Sequence, residues 1–310
     1  MDKSRIVRAD YANQAYAKLA ADAINRWRST EWGREGRYTQ SGLLLVYPEG
    51  DSNASEYAKK SYDNVREIEG DERVVYLPTR GDVHRAAPAY KEKDLKGVAG
   101  GYVNWGSGWS HAEDSVRFVK NLLDKEGKVG FITGVMVEKV LFDHENTAAA
   151  TGVLLSNGSI ISADLVILAT GAWSPKLVDL RNRAVSTGQT IAFMDISDQE
   201  QAALGNMPTI LNFANGIFII PPRDNRLKIA RHAYGYHNPK KIPIPFQRQG
   251  HDHEMMDVSL PEPGVPIPLE GELAFRSALK ELLPSLADRP FTETRVCWYT
   301  DTYVYVSSPP

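Results

Sequence analysis

The chain of 310 residues has little cysteine, no excess of basic residues and no long apolar run. Its one cysteine, Cys297, excludes an internal disulfide and favours a reducing compartment. The formal net charge is −3, so the chain lacks the excess of basic residues typical of nucleic-acid-binding proteins, and we expect no nucleic-acid partner. Neither a bilayer-spanning stretch nor the apolar core of a signal peptide is present. These absences favour a cytoplasmic or peroxisomal protein that binds no membrane.

Metal sites and hydrolytic nucleophiles are also scarce. A proline-rich stretch carries possible metal ligands, but no helix fixes their spacing and no His-Glu-x-x-His sequence occurs. These possible ligands are His237, His251, His253 and Glu254. We therefore predict no metal site. A Gly-x-Ser-x-Gly elbow is likewise absent, which argues against Ser/His/Asp hydrolysis.

What is present is a mixed succession of helix and strand patterns. Apolar residues at helical spacing predict a first helix over residues 10–28, with its buried face formed by Tyr16, Leu19, Ala20, Ala23, Ile24 and Trp27. A capping box from Ser110 to Glu113 predicts a helix that runs to about residue 123. Further helices are predicted over residues 54–68, 79–86 and 272–283. Strands are predicted over residues 43–47, 129–132, 135–142, 153–155, 159–161, 187–195, 216–220 and 226–232, with a proline-rich loop over 239–268.

Residues 164–174 read Asp-Leu-Val-Ile-Leu-Ala-Thr-Gly-Ala-Trp-Ser and form the most informative segment. The apolar run 165–168 predicts a strand that is buried on both faces of a parallel sheet. Ala169, Thr170 and Gly171 follow at its carboxyl end. Small residues at this position let a flat cofactor lie against the backbone, because a large side chain there would collide with it.

A second segment, Arg295-Val-Cys-Trp-Tyr-Thr-Asp-Thr302, contains Cys297. Together the two segments resemble the flavin amine oxidases related to monomeric sarcosine oxidase, pipecolate oxidase and fructosyl-amino-acid oxidase. The resemblance implies that Ala169, Thr170, Gly171 and Trp173 contact FAD and that Cys297 bonds covalently to the flavin ring. It also places Val137 on the strand that passes the adenine. Without the resemblance, Cys297 and Val137 would be interpreted as ordinary core residues.

Arg5 and Arg8 lie three residues apart near the amino terminus, separated by Ile-Val. Arginine is suited to a bidentate grip on a carboxylate, but taken alone the pair is better interpreted as two solvated arginines ahead of a helix. The family carries a similar Thr-Arg-x-x-Arg sequence. The resemblance therefore implies that Arg5 lies beside the flavin and that Arg8 binds the substrate carboxylate.

Lys228 lies in the apolar sequence Arg226-Leu-Lys-Ile-Ala-Arg-His232. A lysine on an edge strand facing water would explain this pattern without any function. The family has a similar Leu-Lys-x-x-x-His sequence, which implies that Lys228 assists O2 reduction and that His232 contacts the substrate. Fructosyl-amino-acid oxidases tend to have an acidic residue near the position of His232, so the histidine favours the sarcosine and pipecolate type.

The chain departs from the family at both ends. No Gly-x-Gly-x-x-Gly turn is present to hold a pyrophosphate, and Thr302 is followed by Tyr-Val-Tyr-Val-Ser-Ser-Pro-Pro instead of a glycine-rich Ser-Gly-His element. We therefore expect a chain truncated at both ends that by itself binds FAD weakly or not at all. We also expect that the run 165–168 exposes an apolar edge, because the first strand would normally cover it.

These observations predict a mixed α/β fold. It comprises a Rossmann-like FAD domain without its first βαβ unit (residues 1–39 and 95–185, with a return at 298–310) and an antiparallel-sheet substrate domain (40–94 and 186–297). The predicted activity is FAD-dependent oxidation of a secondary amine of an N-substituted or cyclic amino acid by O2, which gives hydrogen peroxide. The expected partners are that small amine and O2, and the expected state is a monomer. The alternatives are a non-catalytic flavoprotein remnant that binds a partner and, on fold alone, a nicotinamide-dependent dehydrogenase.

Overall fold

The computed structural model describes residues 3–91, 93–143, 149–245 and 254–302. The strands, in chain order, are β1 (Ser4–Val7), β2 (Tyr38–Thr39), β3 (Leu43–Tyr47), β4 (Val74–Leu77), β5 (Gly100–Asn104), β6 (Gly108–His111), β7 (Val137–Phe142), β8 (Ala150–Leu155), β9 (Ile160–Ser162), β10 (Ala184–Asp195), β11 (Thr209–Asn212), β12 (Ile217–Arg223), β13 (Arg226–Arg231), β14 (Pro239–Pro243), β15 (Met255–Ser259) and β16 (Glu293–Thr302). The helices are α1 (Gln14–Ser29), α2 (Ser52–Glu69), α3 (Arg80–Ala86), α4 (Ala112–Glu126), α5 (Ser174–Leu177), α6 (Asp198–Leu204) and α7 (Leu269–Leu282). The predicted fold class, mixed α/β, is confirmed.

Contacts along the chain define two units. The larger unit comprises Met1–Lys128, Thr190–Ala233 and Pro266–Arg295, and the smaller unit comprises Val129–Gln189, Tyr234–Val265 and Val296–Pro310. The chain passes from one unit to the other within β10 and again within β16. The predicted division into a cofactor domain and a substrate domain stays a prediction.

The larger unit is built around a sheet in which β10, β13, β12, β11, β3, β5 and β4 follow one another. β3 and β11 are parallel. The other neighbouring pairs are antiparallel: β4 with β5, β5 with β3, β11 with β12, β12 with β13, and β13 with β10. A second sheet of three strands has the order β1, β6, β2. The predicted antiparallel character of this region is therefore confirmed.

The strand β3 explains how one short apolar run supports two cores. Residues 43–46 are fully buried. Successive side chains of a strand point to opposite faces. Leu44 and Val46 accordingly pack with Phe275 of α7 on one face, and Leu45 packs with Ile24 of α1 on the other. This burial on both faces is what a continuous Leu-Leu-Leu-Val run predicts.

The buried face of α1 differs from the prediction. Tyr16 and Leu19 are exposed by 49% and 68%, whereas Ala17, Ala21 and Ile24 are buried. These three residues share one face at i, i+4 and i+7 spacing, and two of them are small, which lets α1 approach α2 closely. The prediction that Tyr16 and Leu19 belong to the buried face is therefore wrong, whereas the predicted burial of Ile24 is confirmed.

The start of α4 is also shifted. Ser110 was predicted to cap this helix, but it lies in β6, where it pairs with both Arg5 and Tyr38. The cap is His111, whose Nδ1 accepts the backbone N–H of Asp114 at 3.3 Å. Strand pairing on both sides therefore removes Ser110 from the helix, and the first turn begins one residue later.

The smaller unit contains the antiparallel sheet β7, β8, β9 and the antiparallel pair β14 and β15. The predicted hairpin at Asn157-Gly158 is confirmed: Gly158 has a φ of 84° between β8 and β9. Residues 129–132 do not form the predicted strand, and the expected loop 239–268 includes β14 and β15.

The apolar run 165–168 is exposed and lies outside any strand. Leu165, Ile167 and Leu168 are exposed by 74%, 79% and 40%. The exposure of this run is confirmed, but its prediction as a strand buried on both faces is wrong. A buried strand needs partners on its two edges, and within the described part of the chain no strand pairs with this run.

Two further predictions concern metals and membranes. His251 and His253 lie outside the described residues, and the part of the chain that the structure describes contains no cluster of potential metal ligands. Among the helices in the described ranges, none has the length and apolar character needed to cross a bilayer.

Candidate active site

Lys228 is held in the interior of the larger unit. It lies on β13, between β10 and β12, and only 3% of it is exposed. Its ammonium donates a hydrogen bond to the backbone carbonyl of Ser4 on β1 at 2.8 Å and lies 5.7 Å from the ring centre of Phe218. The interpretation of Lys228 as an edge-strand residue facing water is therefore wrong. A buried ammonium is costly, so its presence here marks a candidate functional group.

A cavity of about 110 Å³ adjoins Lys228. Its lining includes Ser4, Trp109, His111, Phe193, Arg226 and Lys228. Ligand pockets for drug-sized molecules usually measure about 300 Å³ or more, so this cavity suits a group of only a few atoms. The charged side chains of its lining are mainly cationic, since Lys3, Arg223, Arg226 and Lys228 contribute to it together with one carboxylate, that of Asp224.

Arg5 and Arg8 both lie on the segment that Lys228 contacts. Arg5 pairs with Ser110 in the β1–β6 ladder and is half-buried. The half-buried Arg8 donates from Nη1 to the backbone carbonyl of Asp10, and its Cζ lies 4.3 Å from the centre of the Tyr11 ring. Burial opposes the charge of Arg8, but the neighbouring Tyr11, Tyr57, Asp10 and Tyr102 together raise its pKa. Arg8 is thus a fixed cation.

Asp10 follows Arg8 closely in sequence and holds this segment in place through a buried network of hydrogen bonds. Its carboxylate accepts hydrogen bonds from Ser107 Oγ at 2.6 Å and from Asn104 Nδ2 at 3.2 Å. Asn104 Oδ1 in turn accepts the backbone N–H of Gly106 at 2.8 Å. Asp10, Asn104 and Ser107 are all fully buried. Burial raises the pKa of Asp10, although the hydrogen bond from Ser107 and the charge of Arg8 oppose the rise.

The raised pKa of Asp10 predicts a specific pH dependence of stability. A carboxyl whose pKa is higher in the folded state than in the unfolded state stabilises the fold below its unfolded value, about 4, and loses that contribution as pH rises through its folded value. We expect the free energy of unfolding of the wild type, relative to Asp10→Asn, to fall between about pH 4 and neutrality. Urea unfolding across this range measures it, with Asp22→Asn on the exposed face of α1 as the control. A difference that rises with pH would contradict the expectation.

His232 follows β13 directly and is exposed. Its backbone N–H donates to the carbonyl of Gly216 at 2.9 Å, which ties it to the turn between β11 and β12. A Cβ on Gly216 would lie 1.8 Å from the backbone carbonyl oxygen of His232, so only glycine permits this approach. The larger unit therefore carries four of the predicted site residues, namely Arg5, Arg8, Lys228 and His232.

The remaining predicted residues lie in the smaller unit. Gly171 begins a 3-10 turn (Gly171–Trp173) with a φ of 51°, and a Cβ built on it would meet only Thr300 Oγ1, at 4.0 Å. Ala169 and Trp173 are exposed, while Thr170 donates to or accepts from Ser174 Oγ at 2.9 Å. Val137 is the half-buried first residue of β7, and the half-buried Cys297 lies in β16. That Cys297 and Lys228 face one flavin ring stays a prediction.

Sequence analysis missed several residues of this region. Asp10, Asn104 and Ser107 were not singled out, although an aspartate between Ala9 and Tyr11 and a polar Asn-Trp-Gly-Ser run are visible signals. Their partnership spans more than ninety positions, since Asp10 and Ser107 are 97 residues apart. Local periodicity carries no information about such a pair.

Comparisons with known proteins identify the chain's relatives. The sequence profile of the family described as FAD dependent oxidoreductase matches residues 3–309. The amino acid oxidase imqH of Aspergillus flavus is 28% identical, over 97% of this chain and 72% of that protein. The L-saccharopine oxidase of Schizosaccharomyces pombe is 25% identical, over 97% of this chain and 70% of that protein.

A solved structure supports the fold independently. The modified fructosyl peptide oxidase from Aspergillus nidulans with seven additional mutations superimposes with a TM-score of 0.84, over 97% of this chain and 69% of that chain. Its sequence identity to this chain is 24%, so the likeness concerns the fold.

Proposed function

The chain belongs to the family of FAD-dependent oxidoreductases, and we propose that it oxidises a secondary amine of an N-substituted or cyclic amino acid, with O2 as the acceptor and hydrogen peroxide as a product. The observation that carries this proposal is the hydrogen bond from the buried ammonium of Lys228 to Ser4, on the strand that leads to Arg5 and Arg8. This contact joins, within one unit, the strand of Lys228 to the segment that carries Arg5 and Arg8, which supports the roles that the family resemblance implies for these three cations.

The residues of this chain fit a flavin. Gly171 has open space where a side chain would project, which leaves room for a flat ring against the backbone. FAD, when bound, supplies the oxidation of the amine and the delivery of electrons to O2. We propose that Val137, Ala169, Thr170, Gly171, Trp173 and Arg5 would hold it and that Cys297 would be its covalent attachment point.

Arg8 would bind the carboxylate of the substrate. Its guanidinium is held by the carbonyl of Asp10 and the face of Tyr11, and no further hydrogen bond of this side chain is formed within the described residues. Donors on its other edge therefore remain for a carboxylate, which accepts two parallel hydrogen bonds from arginine. Binding of the carboxylate at Arg8 would orient the amine end of the substrate. His232 would contact the substrate from the end of β13.

Lys228 would promote the reaction with O2. Negative charge develops on oxygen as it accepts electrons, and a fixed ammonium in a site with little water stabilises that charge strongly. The adjoining cavity of about 110 Å³ admits a molecule as small as O2. Lys228 needs no rearrangement for this role, because Ser4 already holds it in place.

A peroxide assay tests the proposed function. The chain would be supplied with FAD in excess, so that cofactor occupancy does not limit turnover, and offered sarcosine, L-pipecolate, L-saccharopine and fructosyl-valine in turn. We expect hydrogen peroxide with at least one of the first three. Failure with all four amines would count decisively against an amine oxidase.

Cys297 provides a separate prediction. After prolonged aerobic incubation with FAD, we expect a fraction of the wild-type chain to gain the mass of FAD less two hydrogens and to stay yellow after acid precipitation, because a covalent bond survives unfolding. The C–S bond would replace one S–H and one C–H bond, and O2 would accept the two electrons and two protons released. Cys297→Ser removes the thiolate that would form this bond, so its flavin should be released completely. Intact-mass spectrometry measures both. Acid-stable flavin on the serine variant would exclude Cys297 as the attachment point.

A further inference from the structure

The proposed reaction leaves one residue of the cavity beside Lys228, His111, without a role. His111 ends β6, lines this cavity, and keeps about 10% of its side chain exposed. It is paired with Ser4 in the ladder between β1 and β6. Ser4 is also the residue whose carbonyl accepts the hydrogen bond from the ammonium of Lys228 at 2.8 Å. Lys228 and His111 are therefore connected through a single residue and share one cavity.

The ladder brings the side chains of Ser4 and His111 close together. The backbone N–H of His111 donates to the carbonyl of Arg37 at 2.8 Å, on the side of β2. The next N–H, that of Ala112, donates to the carbonyl of Lys3 at 2.9 Å. Ser4 and His111 thus form a non-hydrogen-bonded pair, in which the Cα atoms are about 4.5 Å apart and the side chains share a face. In such a pair the carbonyl of Ser4 points away from β6, which leaves it to the ammonium.

The ring of His111 is oriented by the first turn of α4. Its Nδ1 lies 3.3 Å from the backbone nitrogen of Asp114 and 2.8 Å from the carboxylate of the same residue. That carboxylate also lies 3.7 Å from the guanidinium of Arg223, which belongs to the cavity lining. Within the described residues Nε2 makes no hydrogen bond. Because Nδ1 is already engaged, Nε2 is the nitrogen that remains for an occupant of the cavity.

The formation of hydrogen peroxide requires a proton source in addition to a cation. O2 takes up two electrons and two protons, and reduced FAD carries both electrons but only one of the protons. An ammonium that gave up the second proton would lose the charge that stabilises reduced oxygen. An imidazolium ordinarily releases its proton near neutral pH, far below the range of an ammonium. The cavity therefore calls for a second group of this kind beside Lys228.

We propose that His111 is a further catalytic residue of the reaction with O2, and that its Nε2–H gives the second proton to the reduced oxygen while Lys228 keeps its charge. This inference rests on the proposed function, because it takes the cavity as the place where O2 is reduced. In the transfer an N–H bond of the imidazolium breaks and an O–H bond forms. The neutral ring then regains its proton from water, and positioned general acids of this type commonly contribute a hundredfold or more, on the order of 100-fold to 10,000-fold.

A pH profile tests the proton transfer. The other charged groups that face this ring come from β1, α4, β12 and β13, and they are Lys3, Asp114, Arg223, Asp224, Arg226 and Lys228. Of the whole set, the imidazole is the group whose ordinary change of charge falls near neutrality. With FAD in excess, we expect kcat/KM for O2 in the wild type to fall as pH rises from about 6 to about 9.

His111→Asn should lower kcat/KM for O2 by about 100-fold at the acidic end of this range and give a flat profile. Asparagine is a good helix cap but releases no proton, so α4 should be preserved. His111→Gln is a second variant without a proton to give, and it should behave in the same way. Amine oxidation coupled to a dye should stay unchanged in both variants. His237→Asn, at an exposed position of the smaller unit, should match the wild type throughout.

A binding measurement needs neither FAD nor turnover. Azide is a small anion that imitates the charge of reduced oxygen. In the wild-type chain labelled with 15N-histidine, azide should shift the Nε2 resonance of one of the seven histidines, and this resonance should be the one that is missing from His111→Asn. Lys228→Met removes the neighbouring cation and should abolish the shift at the same azide concentration, whereas His237→Asn should retain it.

The outcomes separate this inference from the proposed function. Peroxide formation by His111→Asn with the rate and pH profile of the wild type, and no response of His111 to azide, would overturn the proton transfer and leave the oxidase proposal standing. Oxidation of no amine, with FAD in excess, would overturn the oxidase proposal and the proton transfer together. In that case an azide shift at His111 that depends on Lys228 would still establish that both residues contact one small anion.

Discussion

Replacing Lys228 by methionine is expected to lower the rate of hydrogen peroxide formation by roughly 100-fold to 1000-fold, as the loss of one preorganised charge-stabilising group typically does. The effect should be confined to the reaction with O2, because the ammonium acts on charge that develops on oxygen. Oxidation of the amine coupled to a dye as the electron acceptor should therefore fall by less than about tenfold. The measurement compares peroxide formation with dye reduction for the same preparation and the same amine.

Two controls make the Lys228 experiment specific. Methionine matches the length and apolar character of the lysine stem, so the packing between β10 and β12 is disturbed little. Lys228→Arg retains a cation and should recover part of the peroxide rate. Equal losses of peroxide formation and dye reduction would show that Lys228 supports the fold or the amine site instead of the reaction with O2.

Replacing Arg8 by glutamine is expected to raise KM for a carboxylate-bearing amine by about 100-fold, in line with the cost of truncating one partner of a hydrogen-bonded charge pair. The guanidinium is preorganised by Asp10 and Tyr11, so little of its binding contribution is spent on ordering the side chain. Steady-state kinetics with a substrate that gives peroxide measures the change.

A substrate without a carboxylate provides the matched control for Arg8. The decarboxylated analogue of the same amine should be a poor substrate for the wild type, and Arg8→Gln should alter its KM by less than about threefold. Arg26→Gln, at an exposed position of α1, should behave as the wild type with both substrates. A similar loss with both amines would mean that Arg8 maintains the structure around Tyr11 and does not bind the carboxylate.

Lys228 shows how much of the site the local sequence pattern can predict. An alternation of Leu, Lys and Ile predicts a strand at residues 226–232, and β13 occupies Arg226–Arg231. The same alternation is equally compatible with a lysine at a wet edge. The choice between edge and interior depends on which strands lie on each side, and Lys228 reaches Ser4 across 224 residues of chain. The resemblance to flavin amine oxidases anticipated the family, whereas the burial of Lys228 required the fold.

The contact between Tyr57 and Phe213 shows the same limit more sharply. Neither Tyr57 nor Phe213 belongs to a recognisable motif, and each taken alone is an ordinary aromatic residue near the surface. The two rings stack because α2 meets the turn after β11, and the two residues are 156 positions apart in sequence. Hydrophobic periodicity does not encode a contact over such a separation.

Sequence by itself determined the family, the cofactor class, the mixed α/β fold and the burial of runs such as residues 43–46, because motif spacing and apolar periodicity are local properties. The fold as a whole was needed to show that α1 buries Ala17 and Ala21, that Ser110 joins a strand, and that Leu165, Ile167 and Leu168 are exposed. These features depend on which distant segments supply partners. Burial and hydrogen bonding are satisfied over the whole fold, so a short stretch of sequence constrains them only weakly.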